Sequence, residues 1–98
     1  MISENKILDI NDLSIIENII NSDEIILLKF DNLDSNYNSY IYNIGLKIIN
    51  ITDKEIIDFY EIDILPTILV FKNKNLIDSI KGFHTKTSFI GKIIKIIE

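Results

Sequence analysis

The chain has 98 residues, of which 47% are hydrophobic, and its formal net charge is −5 at pH 7. This length suits one small domain with a single core. Arginine is absent and the lysines are scattered, so we expect no nucleic-acid partner, because phosphate binding needs clustered cations. The absence of cysteine excludes a disulfide framework and a thiolate nucleophile, and the single histidine gives no support to a histidine-based metal site.

No targeting signal stands out in the sequence. The amino end, Met1 to Lys6, lacks the basic-then-apolar pattern of a secretion signal, and no apolar run approaches the length that spans a membrane. We therefore expect a soluble cytoplasmic protein with no membrane partner. Isoleucine, lysine and asparagine abound while alanine and arginine are absent, which is typical of a gene from an AT-rich genome.

The chain begins with a strand pattern followed by a helix pattern. Residues 6–10 are short and apolar and predict an edge strand. Residues 12–20 carry apolar side chains at helical spacing and predict a first helix. Asp12 can cap this helix, and Ser14 with Glu17 imitates a capping box slightly later.

The middle of the chain contains two strand patterns separated by a polar segment. Residues 24–30 form an apolar run of strand length, which suits a central strand covered on both faces. Residues 31–42 are polar and predict a loop or a helix start, and we expect a short helix over residues 39–46. Residues 47–52 predict another inner strand.

A second capped helix precedes the proline. Asp53 is placed to cap a helix over residues 54–60, in which Ile56, Phe59 and Tyr60 share one face. The chain's single proline, Pro66, then stands immediately before an apolar run, where a strand tolerates a residue that cannot donate to the ladder.

The last part of the chain predicts a hairpin and a helix. Residues 72–75 form the turn, because asparagine tolerates the left-handed conformation, and residues 76–80 form the returning strand. Thr85 or Thr87 can cap the final helix. The apolar stripe of that helix is expected to consist of Phe89, Ile90, Ile93, Ile94 and Ile97.

Taken together, these elements alternate between strands and helices and end in a hairpin and a helix. This order predicts an α/β fold with a mixed sheet and helices on both faces. No repeat, linker or change in composition divides the chain, so we expect a single domain over residues 1–98.

The residues around the proline resemble the thioredoxin family. The shared pattern is an apolar residue, a cis-proline and a threonine, then a strand that ends in Phe-Lys-Asn; here these are Leu65-Pro66-Thr67 and Phe71-Lys72-Asn73. The resemblance covers essentially the whole chain and implies a thioredoxin-like mixed β-sheet flanked by helices. The segment from Phe30 to Pro66 is about a dozen residues shorter than in ordinary thioredoxins, or roughly 18 Å of helix, so the helix after the active-site position should be shortened.

The resemblance also shows what this sequence lacks. Counted from Phe30, the family's Cys-x-x-Cys motif falls on Ser35-Asn36-Tyr37-Asn38. Asp34 stands where the family has an aromatic residue, and Lys29 stands where it has a buried acid. These departures coincide at one site, so we expect that dithiol exchange has been lost and that the chain has no catalytic residue, cofactor or bound metal.

The resemblance implies a role in binding a protein or an extended peptide. In the family, the backbone of the residue before the cis-proline pairs with an extended peptide, and Leu65 has that position here. The expected contact patch consists of Tyr37, Ile64, Leu65 and Pro66, flanked by Phe83 and His84.

Two other functions remain open on the sequence alone. Ser35 or Tyr37 could replace cysteine in binding glutathione or in a glutathione-dependent reaction, although no adjacent base is identifiable. Alternatively, the domain is a structural subunit or a homo-oligomer that buries its isoleucine-rich surface. Tyr37, Tyr40 and Tyr42 either cover the core or add to a contact surface.

Acidic residues and the histidine receive plain structural interpretations. Asp31, Asp34 and Asp63 could be grouped as a metal site from the sequence, but we expect them to be scattered acids on solvated loops. His84 is expected to be a loop residue near a helix start, without a metal or a base partner.

Overall fold

The computed structural model of the protein describes residues 7–22, 24–32, 46–82 and 84–97. In this part of the chain, five strands form one sheet and three helices pack against it. The strands are β1 (Ile7–Asp9), β2 (Ile25–Phe30), β3 (Lys47–Ile51), β4 (Thr67–Lys72) and β5 (Asn75–Lys81). The helices are α1 (Leu13–Ser22), α2 (Lys54–Phe59) and α3 (Lys86–Ile97).

The sheet is mixed, with the strand order β1-β3-β2-β4-β5. Strand β3 pairs in parallel with both β1 and β2, whereas β4 runs antiparallel to β2 and β5. The apolar run of residues 24–30 therefore contains the central strand, as the sequence predicted, and Ile7–Asp9, within the predicted strand, lies at the edge. Both faces of β2 are covered, which explains why its sequence lacks a polar face.

Each face of the sheet has its own core. Alternate residues of β2 separate onto the two faces, as the period of a strand requires. Helices α1 and α2 cover one face through Ile16, Ile20, Ile56 and Ile57. Helix α3 covers the other face through Phe89 and Ile93. The predicted α/β fold with helices on both faces is confirmed, and the prediction of a single domain over residues 1–98 stays a prediction.

Aspartates begin the first two helices. Asp53 Oδ1 accepts hydrogen bonds from the backbone N–H groups of Glu55 at 2.8 Å and Ile56 at 3.3 Å, as predicted. In α1 the cap is Asp12, whose Oδ1 accepts from Ser14 N at 3.0 Å and from the Ser14 hydroxyl at 2.9 Å. The predicted capping box of Ser14 and Glu17 is therefore wrong, because Ser14 lies inside α1 and the capping residue is Asp12.

The β4–β5 hairpin has the turn that the sequence predicted. Asn73 and Lys74 occupy the turn with φ of 52° and 75°, in the left-handed region that two-residue hairpin turns require. The Asn73 N–H donates to Glu24 O at 2.7 Å, and this bond fastens the turn to the start of β2. The antiparallel register of β4 and β5 shifts once, between Val70 and Phe71.

Two predicted apolar faces need correction. The side chain of Phe59 is 58% exposed, and Ile57 is buried in its place beside Ile56. On α3, Ile94 is 49% exposed, whereas Ile96 packs against the core. The other described members of each predicted stripe do meet the core. Periodicity alone does not fix which of several neighbouring apolar residues lies at the margin of the buried face.

Within residues 7–22, 24–32, 46–82 and 84–97, no helix combines the length and the apolar composition needed to cross a membrane.

Candidate functional site

Three chain segments meet at one end of the sheet. Phe30 pairs with Thr67, and Thr67 pairs with Lys81, so the end of β2, the start of β4 and the end of β5 lie side by side. Pro66 immediately precedes β4 and Gly82 immediately follows β5. Ile64, Leu65 and Pro66, which belong to the contact patch expected from the sequence, directly precede β4 at this end.

The proline segment is held by internal hydrogen bonds. The Leu65–Pro66 peptide bond is cis and Pro66 is buried. The Gly82 N–H donates to Pro66 O at 2.7 Å, and the Thr67 hydroxyl donates to Ile64 O at 2.5 Å. Gly82 has a φ of +78°, a conformation that favours glycine. These contacts fix the backbone on both sides of Leu65.

Leu65 itself keeps free main-chain groups. Its half-buried side chain packs against the core on the α1–α2 face of the sheet. Within the described part of the chain, neither its N–H nor its C=O makes a hydrogen bond. The neighbouring Ile64 side chain is 46% exposed. This position therefore offers a donor, an acceptor and an apolar side chain to another molecule.

Charged and polar groups flank the Leu65 position. Lys81 Nζ lies 3.4 Å from Asp63 Oδ1, and both side chains are exposed. His84 lies in the loop between β5 and α3, and its Nε2 donates to Lys81 O at 3.1 Å. Lys81 therefore contacts both Asp63, which precedes the proline, and His84, which follows β5, and the three residues form one rim.

A buried ion pair lies beneath the same end of the sheet. Lys29 and Asp31 are 1% and 2% exposed, and Lys29 Nζ lies 3.2 Å from Asp31 Oδ2. The Asn32 N–H donates to Asp31 Oδ1 at 2.7 Å, and Asp31 N donates to Ile51 O at 3.1 Å. The expectation that Asp31 lies on a solvated loop is wrong. The signal that sequence analysis missed is the lysine in a buried apolar strand, because a buried charge requires a partner.

The lysine also contacts the neighbouring strand. Lys29 Nζ donates to Asn50 Oδ1 at 3.0 Å, and Asn50 Nδ2 donates to Asp9 Oδ1 at 2.8 Å. A polar chain of side chains thus crosses from β2 through β3 to β1. These two bonds link Lys29, Asn50 and Asp9 across the sheet.

The described residues bring no metal-ligating set together. In these ranges no three histidine, cysteine, aspartate or glutamate side chains form a group that could hold a metal ion. Asp63 is exposed and pairs with Lys81, whereas Asp31 is buried against Lys29. Asp34, the third acid considered from the sequence, lies outside the described residues.

The structure describes part of the predicted site. It brings together Ile64, Leu65, Pro66 and His84 around the Gly82–Pro66 hydrogen bond. The remaining predicted site residues, together with most of the helix predicted over residues 39–46, lie outside the described residues. They are Ser35, Asn36, Tyr37, Asn38, Tyr40, Tyr42 and Phe83.

Comparisons with known proteins identify the fold. No protein-family model and no curated protein matches the chain. Among solved structures, a mutant thioredoxin from Halobacterium salinarum NRC-1 matches with a TM-score of 0.82 at 11% identity, over 100% of this chain and 96% of that one. The thioredoxin from Trypanosoma brucei brucei matches with a TM-score of 0.79 at 15% identity, over 94% and 91% of the two chains. A Plasmodium falciparum thioredoxin matches with a TM-score of 0.70 at 18% identity, over 92% and 97%.

The absence of cysteine separates this chain from thiol chemistry. Dithiol–disulfide exchange proceeds by thiolate attack, and the sequence has no cysteine at any position. The strand order, the cis-proline before β4 and the structural matches agree with one another. The protein therefore has a thioredoxin-like fold without the residues that dithiol exchange requires.

Proposed function

We propose that this protein is a redox-inactive thioredoxin-like domain that binds an extended peptide segment of a protein partner along Leu65. The observation that carries the proposal is the free N–H and C=O of Leu65 among the described residues. An extended peptide that pairs with both groups gains main-chain hydrogen bonds, and nearby side chains then select its sequence.

The rigidity of the segment favours this role. Pro66 is buried, its carbonyl accepts from Gly82, and the Thr67 hydroxyl bonds Ile64 O. A backbone that is already fixed loses little conformational entropy when a peptide pairs with it, so more of the interaction energy appears as affinity. The cis-proline segment thus presents Leu65 in a set conformation.

The surroundings of Leu65 suggest what a peptide would contact. Ile64 supplies an exposed apolar side chain, while Asp63 and Lys81 supply charges of both signs. His84 contributes a polar ring on the same rim. A peptide with one apolar residue next to polar residues fits this set, whereas a uniformly charged peptide does not.

The test separates the backbone of Leu65 from its side chain. Extended peptides are selected from a random library against the wild-type protein, and their affinities are then measured for Leu65→Pro and Leu65→Ala. Proline removes the N–H and leaves the partner's carbonyl unpaired, so we expect a loss of about tenfold or more. Alanine keeps the N–H, so we expect a loss of no more than about threefold, which comes from the smaller side chain.

Folding of the variants is checked independently. Both are compared with wild type by urea unfolding and by amide chemical shifts of residues in β2 and β3, which are distant in sequence from Leu65. If folded Leu65→Pro binds the selected peptides as tightly as Leu65→Ala does, main-chain pairing at Leu65 is refuted. Affinity capture from a lysate with the same two variants then identifies the natural partner.

A further inference from the structure

We propose a second binding site, an open groove along the outer edge of β5 that takes an acidic peptide in extended conformation. The groove has a volume of about 400 Å³ and lies between β5 and α3. Ser79 and Lys81 line it from the strand, and Lys92, Lys95 and Ile96 line it from the helix. Binding here does not depend on main-chain pairing at Leu65, although Lys81 and His84 border both places.

The edge of the sheet supplies main-chain groups for pairing. Strand β5 is last in the strand order, and in the described part of the chain only β4 pairs with it. Beyond the register shift, residues 78–81 pair with β4 without interruption. This regular segment is the part of β5 that lines the groove. The outward groups of this segment belong to Ser79 and Lys81, and the Ser79 C=O and the Lys81 N–H can pair with an added strand, as the edges of sheets commonly do. The Ser79 N–H donates to Asp78 Oδ1 at 2.7 Å and Lys81 O accepts from His84 Nε2 at 3.1 Å, so the added strand would replace these two bonds with its own.

The charges in the groove select an acidic occupant. Although the chain has a net charge of −5, the groove contains Lys81, Lys92 and Lys95 against one acid, Asp78. Lys92 and Lys95 are exposed, three positions apart on α3, and make no ion pair with any described residue. Lys81 has only an exposed contact with Asp63. Charge complementarity therefore favours carboxylates over basic side chains.

Apolar side chains along the same strand suit the alternate residues of such a peptide. Leu76 and Ile77 are 55% and 41% exposed, and Ile96 is partly exposed at the groove itself. In an extended peptide, successive side chains point to opposite sides. A peptide that alternates glutamate with valine can direct its carboxylates toward the lysines of α3 while its backbone pairs with β5.

The first experiment measures binding of a defined probe. The probe is a fluorescein-labelled glutamate–valine peptide that matches the seven residues of β5, and binding is followed by fluorescence anisotropy. The double variant Lys92→Gln/Lys95→Gln is compared with Lys54→Glu, which lowers the net charge equally but lies on α2, across the sheet from α3. We expect the double variant to bind about five- to twentyfold more weakly and the Lys54 control within about twofold of wild type.

A second experiment tests main-chain pairing without altering the protein. Two probes are made with N-methyl groups on alternate residues, in the two possible phases. An added strand directs alternate N–H groups toward β5, so one phase should abolish binding and the other should leave it nearly intact. Equal binding of both phases overturns pairing with the strand.

Other outcomes also overturn the proposal. These are no binding of the acidic probe at millimolar concentration, equal binding of a matching lysine–valine peptide, and equal affinity of the double variant and the Lys54 control. Loss of probe binding in Leu65→Pro would place the peptide at the Leu65 segment and not on β5. A dimer that the probe does not dissociate, detected by sedimentation, would assign the edge to a second copy of the chain.

Discussion

Two lysine–aspartate ion pairs in the described part of the chain have similar lengths but opposite surroundings. Lys29 and Asp31 are 3.2 Å apart and at most 2% exposed, whereas Lys81 and Asp63 are 3.4 Å apart and 54% and 69% exposed. Distance alone therefore says little about what each pair contributes. An exposed pair contributes about 0–1 kcal/mol, because water and mobile side chains offset the attraction.

The contribution of the buried pair to stability depends on how many of its polar atoms have partners. Burying a lysine and an aspartate costs several kcal/mol of solvation each, and their attraction offsets this cost only when the remaining polar atoms are also satisfied. Asn50 accepts from the lysine and the Asn32 N–H bonds the aspartate, so most of that requirement is met. Removing one partner should therefore lower the free energy of unfolding far more for the buried pair than for the exposed pair.

The largest expected effect is the loss of the buried cation. Lys29→Met leaves Asp31 charged and unpaired in the core, so we expect the free energy of unfolding to fall by about 3–5 kcal/mol. Urea unfolding measures the change. The matched control is Lys81→Met, for which we expect a loss below about 1 kcal/mol. Equal losses in the two variants would contradict the role assigned to burial.

Replacing both buried partners should recover much of that loss. In Lys29→Met/Asp31→Leu no unpaired charge remains, so we expect a free energy of unfolding at least about 2 kcal/mol above that of Lys29→Met. The single variant Asp31→Leu completes a double-mutant cycle. If the two single losses simply add in the double variant, the lysine and the aspartate do not interact energetically.

A pH dependence is expected from a third, exposed carboxylate. The hydrogen bond from the Ser14 hydroxyl, together with the Ile15 and Ser14 N–H groups, lowers the pKa of Asp12 from its ordinary value of 3.8. A lowered pKa in the folded state means that the aspartate stabilises the fold at any pH above 3.8 and loses this effect as the pH falls toward the folded pKa.

The test for Asp12 compares unfolding of wild type and Asp12→Ala between pH 7 and pH 2. We expect the difference in stability to be constant at neutral pH and to shrink in acid. A difference that grows as the pH falls would show that the cap does not bind the ionised carboxylate preferentially.

The smallest expected effect is the response of the two pairs to salt. At about 1 M salt the Debye length is roughly 3 Å, so the already small effect of Lys81→Met should vanish. The effect of Lys29→Met should persist, because ions do not enter the core. Parallel unfolding experiments at low and high salt measure both. Disappearance of the Lys29 effect in salt would show that the buried pair is open to solvent.

Local patterns in the sequence predicted most of the fold. The hairpin turn at Asn73 and Lys74 and the cap at Asp53 depend on neighbouring residues alone, and both are found. The exposure of Phe59 and Ile94 was missed because helical spacing does not say which residue meets the sheet. The buried Asp31 was missed although it lies two positions after Lys29, on the same face of an extended chain.

The candidate site was predicted only in part. The Leu65-Pro66 segment carries a recognisable sequence pattern, so its place before β4 could be predicted. The Gly82–Pro66 hydrogen bond and the groove beside β5 depend on strand pairing between distant segments, and no local pattern encodes them. The glutathione hypothesis for Ser35 or Tyr37 stays a prediction, because those residues lie outside the described ranges.

The hydrogen bonds that link Lys29, Asn50 and Asp9 help to set the register of three strands. Asn50 stands directly opposite Asp9 on β1 and directly opposite Lys29 on β2, and it bonds both side chains. Isoleucine-rich strands fit one another almost equally well after a slip of two residues, because the same face stays apolar. Such a slip would move Lys29 out of reach of Asn50 and leave a buried N–H of the lysine without an acceptor, while Asp31 on the same segment would stay beside it. The two hydrogen bonds of Asn50 therefore favour one register among strands whose apolar side chains would fit in more than one.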